Sequence, residues 1–576
     1  MKRKNITVTV IISVAVFIIG TKNVNAYNGT KKIIPIELPE LTVSEAIVID
    51  DDTEDLLEEI TGSECDFKSV TSKEDLPSFY SSDQAKNRDN VTPVRNQGIT
   101  ALCWNYAAIG AVESDLLSHH EELVADELNL SEKHGAFYNM HKAEKHGDGG
   151  IDNDYREFVF DEKDNFLSKY QTSYLSVGGV TNYSMSLFTA WKGPVKDRDN
   201  NSIHVIKGQN DFYIQNADVP SDAYEAECHV QNVLEIPASA KNRDVIKQMI
   251  IEHGSVTASV CADNQYWTGK KVALYDYKSY GNGNYADHEI LIVGWNDEYP
   301  AKNFITKPSS DGAFICKNSW GMKNGASGYF YLSYEDTILN NNNVVAYNSV
   351  LPEDDGWYDN NYQYAGFITH ITDPMEDRKN VVYMYDKNDA HYGITFIPES
   401  DEELSAIGYF SMSSCTNDKV YIYEVPKEYS VVPDVKMLAE AIGQSDEAAN
   451  DGLLSGFSYI DTDKLGKPLT TINCKAITGG YHTFELNKTL DVKAGTEYLI
   501  VVCPGQKTKL IYEKAMDSTT GFHKDEWQHT LGAIHTVNTA SGHSYLQDIT
   551  GTAMVKQTDK DFFVKAYTKV QQKNSH

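Results

Sequence analysis

The chain has 576 residues, 41% of them hydrophobic and 11% aromatic, enough for two or three domains that each bury a core. Its 83 acidic against 51 basic residues leave a formal net charge of −32, which argues against nucleic acid or an anionic membrane surface as a partner. The eight cysteines, at 65, 103, 228, 261, 316, 415, 474 and 503, show neither CxxC nor metal-ligand spacing, and no HExxH occurs, so no metal or other cofactor is expected.

Residues 1–26 read as a secretory signal peptide: Lys2, Arg3 and Lys4, an apolar run from Ile6 to Gly20, and the small-residue site Val24-Asn25-Ala26. The run is short of the about 20 residues that a membrane span needs, so no span is expected once the leader is removed. Residues 27–74 are polar and acidic, with IDDDTEDLLEEI at 49–60. Val91 to Leu102 carries the turn residues Pro93, Asn96 and Gly98 and reads as a loop, whereas the stretch to Leu117 reads as a helix buried on most faces. Cys103 therefore falls where loop becomes helix. There, free N–H groups and the positive end of the helix dipole favour a thiolate.

Ser131 reads as the N-cap of a second helix. An acidic, aromatic segment (HGDGGIDNDYREFVFDEKDNF) separates it from Gly178-Gly179 and reads as an insertion near a cleft or as a surface elaboration. Strand-like runs follow at 254–263, 287–297, 311–321 and 327–336, and Asn340 to Asn343 reads as a loop. From about 353 the texture changes to short strands (YGITFIP, AIGYFSM, KVYIYEVP, TEYLIVVCP, FFVKAYT) between Gly, Asn, Asp and Lys turns. That pattern predicts an antiparallel β-sandwich able to fold alone.

Three motifs, in order, carry a resemblance. Gln97-Gly98-x-x-x-x-Cys103-Trp104 after VTPVRN, Asp287-His288 in YADHEILIVGWND, and Lys317-Asn318-Ser319-Trp320-Gly321 before Gly328-Tyr329-Phe330 resemble the active-site, histidine and asparagine segments of papain-like cysteine peptidases. The resemblance covers roughly 75–352. It implies an α+β fold of two lobes, a helical lobe carrying Cys103 and a β lobe carrying His288 and Asn318, followed here by the all-β sandwich. It also implies roles: Cys103 as nucleophile, His288 as its acid–base partner, Asn318 orienting His288, and Gln97 with the Cys103 N–H as oxyanion donors. Gly178 and Gly179 would lie beside a peptide substrate, and Trp320 would shield the His–Asn pair. The family's disulfide near the nucleophile is absent, because Thr100 and Ser176 stand where its cysteines would be.

The peptidase-plus-sandwich order is similar to bacterial papain-like peptidases with a lectin-like domain, including clostridial surface-layer-processing enzymes. The organisation expected is therefore a signal peptide (1–26), a pro-segment or spacer (27–74), a peptidase domain (75–352) and a lectin-like β-sandwich (353–576). The function expected is that of a secreted or cell-surface cysteine endopeptidase acting on proteins or peptides, with an accessory domain that binds glycan or substrate. Two alternatives stay open on the sequence: a glycan-binding surface adhesin with a degenerate peptidase fold, and a transpeptidase using the same Cys–His site.

Overall fold

The computed structural model describes residues 76–571, apart from 84–88, 99, 142, 144–154, 161–172, 177, 207–212, 216–218, 282–283, 367–382, 386–389, 412–413, 427–458, 506–509, 515, 520–522, 525–529, 538–541, 548–552 and 558–559. The readings of 1–26 and 27–74 lie outside the described residues. Among the described residues no helix is long and apolar enough to cross a membrane.

The elements that frame the first part of the chain are β1 (Phe79–Ser81), α1 (Cys103–His119), α2 (Glu132–Met140), α3 (Thr181–Thr189), β2 (His229–Pro237), α4 (Arg243–His253), β3 (Val256–Val260), β4 (Ala273–Leu274), β5 (His288–Asn296), β6 (Ala313–Lys317), β7 (Tyr329–Ser333) and β8 (Asn343–Val350). Helix α1 is the expected central helix. Ala107, Ala108, Ile109, Ala111, Val112, Leu116 and Leu117 are buried, and so are Asn105, Glu113 and Asp115. A helix buried on its polar positions as well as its apolar ones must supply partners for them, and each of these three has one. Ser131 caps α2 as expected, its Oγ accepting from the His134 N–H at 3.1 Å. The run Asn340 to Asn343 is a loop only at Asn341 and Asn342. Asn340 ends the short helix Thr337–Asn340, and Asn343 opens β8. Asn340, Asn341 and Asn342 donate their side-chain amides to the carbonyls of Asp336, Thr337 and Ile338, four residues back, which finishes the helix end.

The second part is all-β among its long elements: β9 (Asn360–Tyr362), β10 (Tyr392–Phe396), β11 (Glu402–Ser411), β12 (Thr416–Val425), β13 (Tyr459–Asp461), β14 (Thr470–Ala476), β15 (Gly479–Val492), β16 (Glu497–Cys503), β17 (Ser544–Gln547), β18 (Ala553–Lys556) and β19 (Val564–Val570). One layer is a seven-stranded sheet ordered β13-β18-β17-β10-β16-β12-β14. Ile394, Phe396, Val420, Ile422, Ile500 and Val502 from that sheet share a core with Leu404, Ile407, Tyr409 and Val564 from the facing strands β11 and β19. Period-2 strands with one buried face need such a second layer.

The facing layer does not stop at the second part. It is a twelve-stranded sheet ordered β9-β19-β11-β15-β2-β8-β3-β5-β6-β7-β4, with β1 added on β5. Residues Gly479, Gly480 and Tyr481 of β15 pair with Glu235, Leu234 and Val233 of β2, so one sheet runs through both parts. Gly480 has φ +109°, and a Cβ there would lie 1.9 Å from the Val233 carbonyl oxygen, so the crossing requires glycine. Side chains reinforce it. Thr483 donates to the Gln231 carbonyl at 2.6 Å, Gln363 to the Ala190 carbonyl at 3.0 Å, and the buried Lys565 ammonium to the Thr189 carbonyl at 2.5 Å. Trp191 stacks on His229 at 3.8 Å, and His229 stacks on Trp357 at 3.7 Å. A further strand, Tyr155–Phe160, pairs with Thr530–Val537. The cysteines make no dense framework. Among the described residues 103, 228, 261, 316, 474 and 503 are free thiols, and Cys415 is disulfide-bonded.

Candidate active site

Cys103 opens α1 and is half-buried; its thiol accepts backbone bonds from Glu289 and Trp104. Glu289 follows His288 on β5, so the contact brings the helical lobe's cysteine against the strand that carries the histidine. The buried His288 ring donates from Nε2 to Asn318 Oδ1 at 2.9 Å. This bond fixes the tautomer, because an amide oxygen only accepts, and it leaves Nδ1 as the nitrogen able to take a proton. Asn318 Oδ1 also accepts from the Ser319 N–H at 2.8 Å, which sets the amide's orientation. Trp320 stacks on the imidazole at 4.5 Å between ring centres and 24° between planes.

The loop before Cys103 is clasped to the asparagine segment. Gln97 donates its N–H to the Ser319 carbonyl at 2.8 Å, Gly321 donates to the Arg95 carbonyl at 3.0 Å, and Asn96 bridges Trp320. The Gln97 side chain accepts from Ser319 Oγ at 2.6 Å and donates from Nε2 to the Thr100 carbonyl at 2.8 Å, which leaves one amide hydrogen over. Ser319 is thus a support that motif reading missed, although it lies inside KNSWG. Gly179 packs against the Trp104 indole, where a Cβ would approach to 2.6 Å, so its lack of a side chain serves packing. Gly178 is exposed with open space at its Cβ position, as a site beside an incoming peptide requires.

Beneath the site lies a buried ionic cluster. Arg95 binds Glu113 at 2.5 Å and Glu132 at 2.8 Å, Thr92 donates to Glu113 at 2.6 Å, and Lys317 donates to Thr92 at 3.2 Å. Burial pulls the Lys317 ammonium down to about 8 against the attraction of Glu113. Lys317 immediately precedes Asn318, so the cluster anchors the strand end that presents the amide. Breaking one member of such a group strands the others without partners. On the far end of α1, Asp115 receives His253 Nδ1 at 2.7 Å, the Ser349 N–H at 2.6 Å and, at 3.2 Å, His119. The hydrogen bond to Asp115 lifts His119 to about 9. These three side chains converge as a metal site could, yet their ring nitrogens already serve the carboxylate.

Electrostatics of the resting cleft differ from what the helix end alone predicts. Burial pushes the Cys103 thiol up to about 11; the N–H bond from Glu289 opposes this, and the charges of Glu289 and Asp287 add to it. Burial likewise holds His288 down to about 4, against the Asn318 bond and with help from the Lys271 charge. Desolvation thus opposes the helix dipole at the thiol and disfavours the charged forms of both groups. Lys271 places its ammonium 4.3 Å from the Trp320 ring centre, on the ring that stacks on His288. Substituting Lys271→Met removes a positive charge that disfavours the imidazolium. The His288 pKa should therefore rise from about 4, and an NMR titration of the ring proton checks it.

Residues 78–350 match the family described as papain family cysteine protease. The chain is 28% identical over 247 residues to Cysteine proteinase 1 of Dictyostelium discoideum, covering 43% of this chain and 59% of that protein. It is 24% identical over 248 residues to procathepsin L of Felis catus, covering 43% of this chain and 59% of that protein. The chain thus spans about three-fifths of the length of these relatives. Among solved structures, the clostridial cysteine protease Cwp84 after propeptide cleavage aligns over 86% of this chain and all of its own, with TM-score 0.56 and 18% identity. The cysteine protease and lectin-like domains of Cwp84, a surface layer associated protein of Clostridium difficile, align equally well over 90% of that chain. This is a likeness of fold, and it extends through both parts.

Proposed function

From the premise that residues 78–350 carry a papain family cysteine protease domain, we propose that the chain is a cysteine endopeptidase whose catalytic groups are Cys103, His288, Asn318 and Gln97. The observation that supports the reading most is the His288 Nε2–Asn318 bond, with the Gln97 loop that leads into Cys103 clasped to the neighbouring Ser319. Because burial keeps thiol and imidazole neutral at rest, His288 takes the thiol proton as sulfur attacks the peptide carbonyl. The imidazolium then protonates the leaving amine, and the neutral ring activates water to cleave the thioester. Asn318 holds the ring in the required tautomer throughout. The remaining Gln97 amide hydrogen and the Cys103 N–H receive the oxyanion, and Trp320 covers the His288–Asn318 bond.

Residues 75–352 are the peptidase domain on this reading, and 353–576 form a lectin-like accessory domain that holds glycan or substrate near the cleft. Secretion fits the leader-like residues 1–26, and a surface location fits the fold neighbour described as surface layer associated. Gly178 and Gly179 border the bound peptide.

The test is a peptide-library digest by the purified full chain beside Cys103→Ala, read by mass spectrometry with and without an added amine. Cleavage lost in Cys103→Ala supports the reading. No cleavage by either protein points to an adhesin, and transfer of the amine to the new carboxyl end points to a transpeptidase.

A further inference from the structure

Strand β5 is apolar from Ile290 to Trp295, and Ile290, Leu291, Ile292 and Val293 are all buried. Glu289 departs from that pattern at a sensitive position, directly after His288 and near enough to Cys103 for its charge to act on the thiol. The carboxylate accepts from Thr181 Oγ1 at 2.7 Å and from Ser259 Oγ at 2.8 Å. Thr181 begins α3, two residues after Gly179, and Ser259 lies on β3. The carboxylate therefore sits on the seam between the two lobes, beside the nucleophile and next to the glycine pair.

A carboxylate there has a cost. Burial raises its pKa, no lysine or arginine pairs with it among the described residues, and its charge raises the pKa of the Cys103 thiol. A neutral amide of the same shape could bridge Thr181 and Ser259 without opposing the nucleophile, so bridging alone does not account for the charge. About four acceptor positions are available on a carboxylate, and two hydroxyls leave room for a further donor. Glu289 is also partly exposed, so that donor can arrive from the cleft.

We propose that Glu289 is a specificity residue that receives a cationic side chain, lysine or arginine, of the peptide being cut. This deepens the reading of Cys103 as nucleophile and rests on it. The incoming cation supplies the missing partner and cancels the charge that disfavours the thiolate. A basic substrate thereby makes the nucleophile easier to ionise, and part of its binding energy is realised in reaching the transition state. A neutral side chain leaves the carboxylate desolvated and the thiol protonated.

The test scans fluorogenic peptides position by position with arginine, lysine, leucine and citrulline, the last being a neutral mimic of arginine. Wild-type full chain is expected to favour arginine and lysine at one position by roughly 10²-fold in kcat/KM over leucine and citrulline. In Glu289→Gln that ratio should collapse towards one through loss on the basic peptides. Calorimetric binding of the same peptides to Cys103→Ala, with and without Glu289→Gln, separates recognition from chemistry. Tighter binding of arginine than citrulline that vanishes with Glu289→Gln supports the proposal even if turnover fails and the catalytic reading falls. Cleavage or binding with no arginine-over-citrulline preference at any position overturns it, and so does a preference that survives in Glu289→Gln. The citrulline comparison needs no variant, so it decides even if the substitution unfolds the chain.

Discussion

Replacing His288 with alanine is expected to lower kcat/KM for a cleaved peptide by on the order of 10⁵-fold, as loss of a nucleophile's base does elsewhere. Asn318→Ala should cost at least about tenfold less, because holding a ring is a smaller task than accepting its proton. The two losses should not add in the double variant, since Asn318 acts only through His288. The wild-type pH profile carries the sharper form of the same claim. His288 must be neutral to act as base, and its pKa in the cleft is about 4 instead of the ordinary 6.5. Activity should therefore hold as pH falls through 6 and be lost only on approaching pH 4. Stopped-flow measurement of kcat/KM between pH 3 and 8 reads this directly. An acid limb near 6.5 would show that the buried ring is not the group that limits the reaction.

A chain ending at residue 352 is expected to aggregate, or to melt at least about 10 °C below the full chain. Such a cut uncovers the hydrogen-bonding edge of β2 where β15 now pairs with it. It also removes Ala406, Tyr481, Phe563 and Tyr567 from the same core that holds Ile109, Val112 and Phe188 of the helical lobe. Burying one large apolar side chain is worth about 1.5–3 kcal/mol, and a unit of this size loses about 2–4 °C per kcal/mol. Tyr481 and Tyr567, linked hydroxyl to hydroxyl at 2.7 Å, would alone account for much of the drop. Differential scanning calorimetry of both chains decides it. A truncated protein that melts within a few degrees of the full chain would restore the picture of independently folding parts.

The proposed catalytic residues could be picked out because they carry local signatures. The turn residues before Cys103, the alanine-rich helix after it and the KNSWG run all announce themselves within a few positions of the chemistry. The β lobe was legible for the same reason, and the expected runs at 254–263, 287–297, 311–321 and 327–336 contain β3, β5, β6 and β7. The sheet that crosses between the parts was not legible. It is made by backbone bonds between strands some 245 residues apart, and Gly480 alone looks like any turn glycine. Glu289 was passed over because its partners, Thr181 and Ser259, lie 108 and 30 residues away, and neither distance has a sequence pattern. The upward push on the thiol's pKa was not legible from the helix end, because desolvation depends on what packs around the sulfur, and a motif does not encode that.

The shared sheet also bears on descent. A peptidase half that met an unrelated sandwich by recombination would need, at once, a glycine facing the Val233 carbonyl, a hydroxyl for Gln231 and a long cation for the Thr189 carbonyl. Those requirements fall on Gly480, Thr483 and Lys565, which are spread over 86 residues of one half, while their counterparts lie in the other. Exchanging the accessory half as a cassette would break all three together. The two halves are therefore bound to be inherited as one unit, with Gly480 replaceable only where the pairing of β15 with β2 is itself given up.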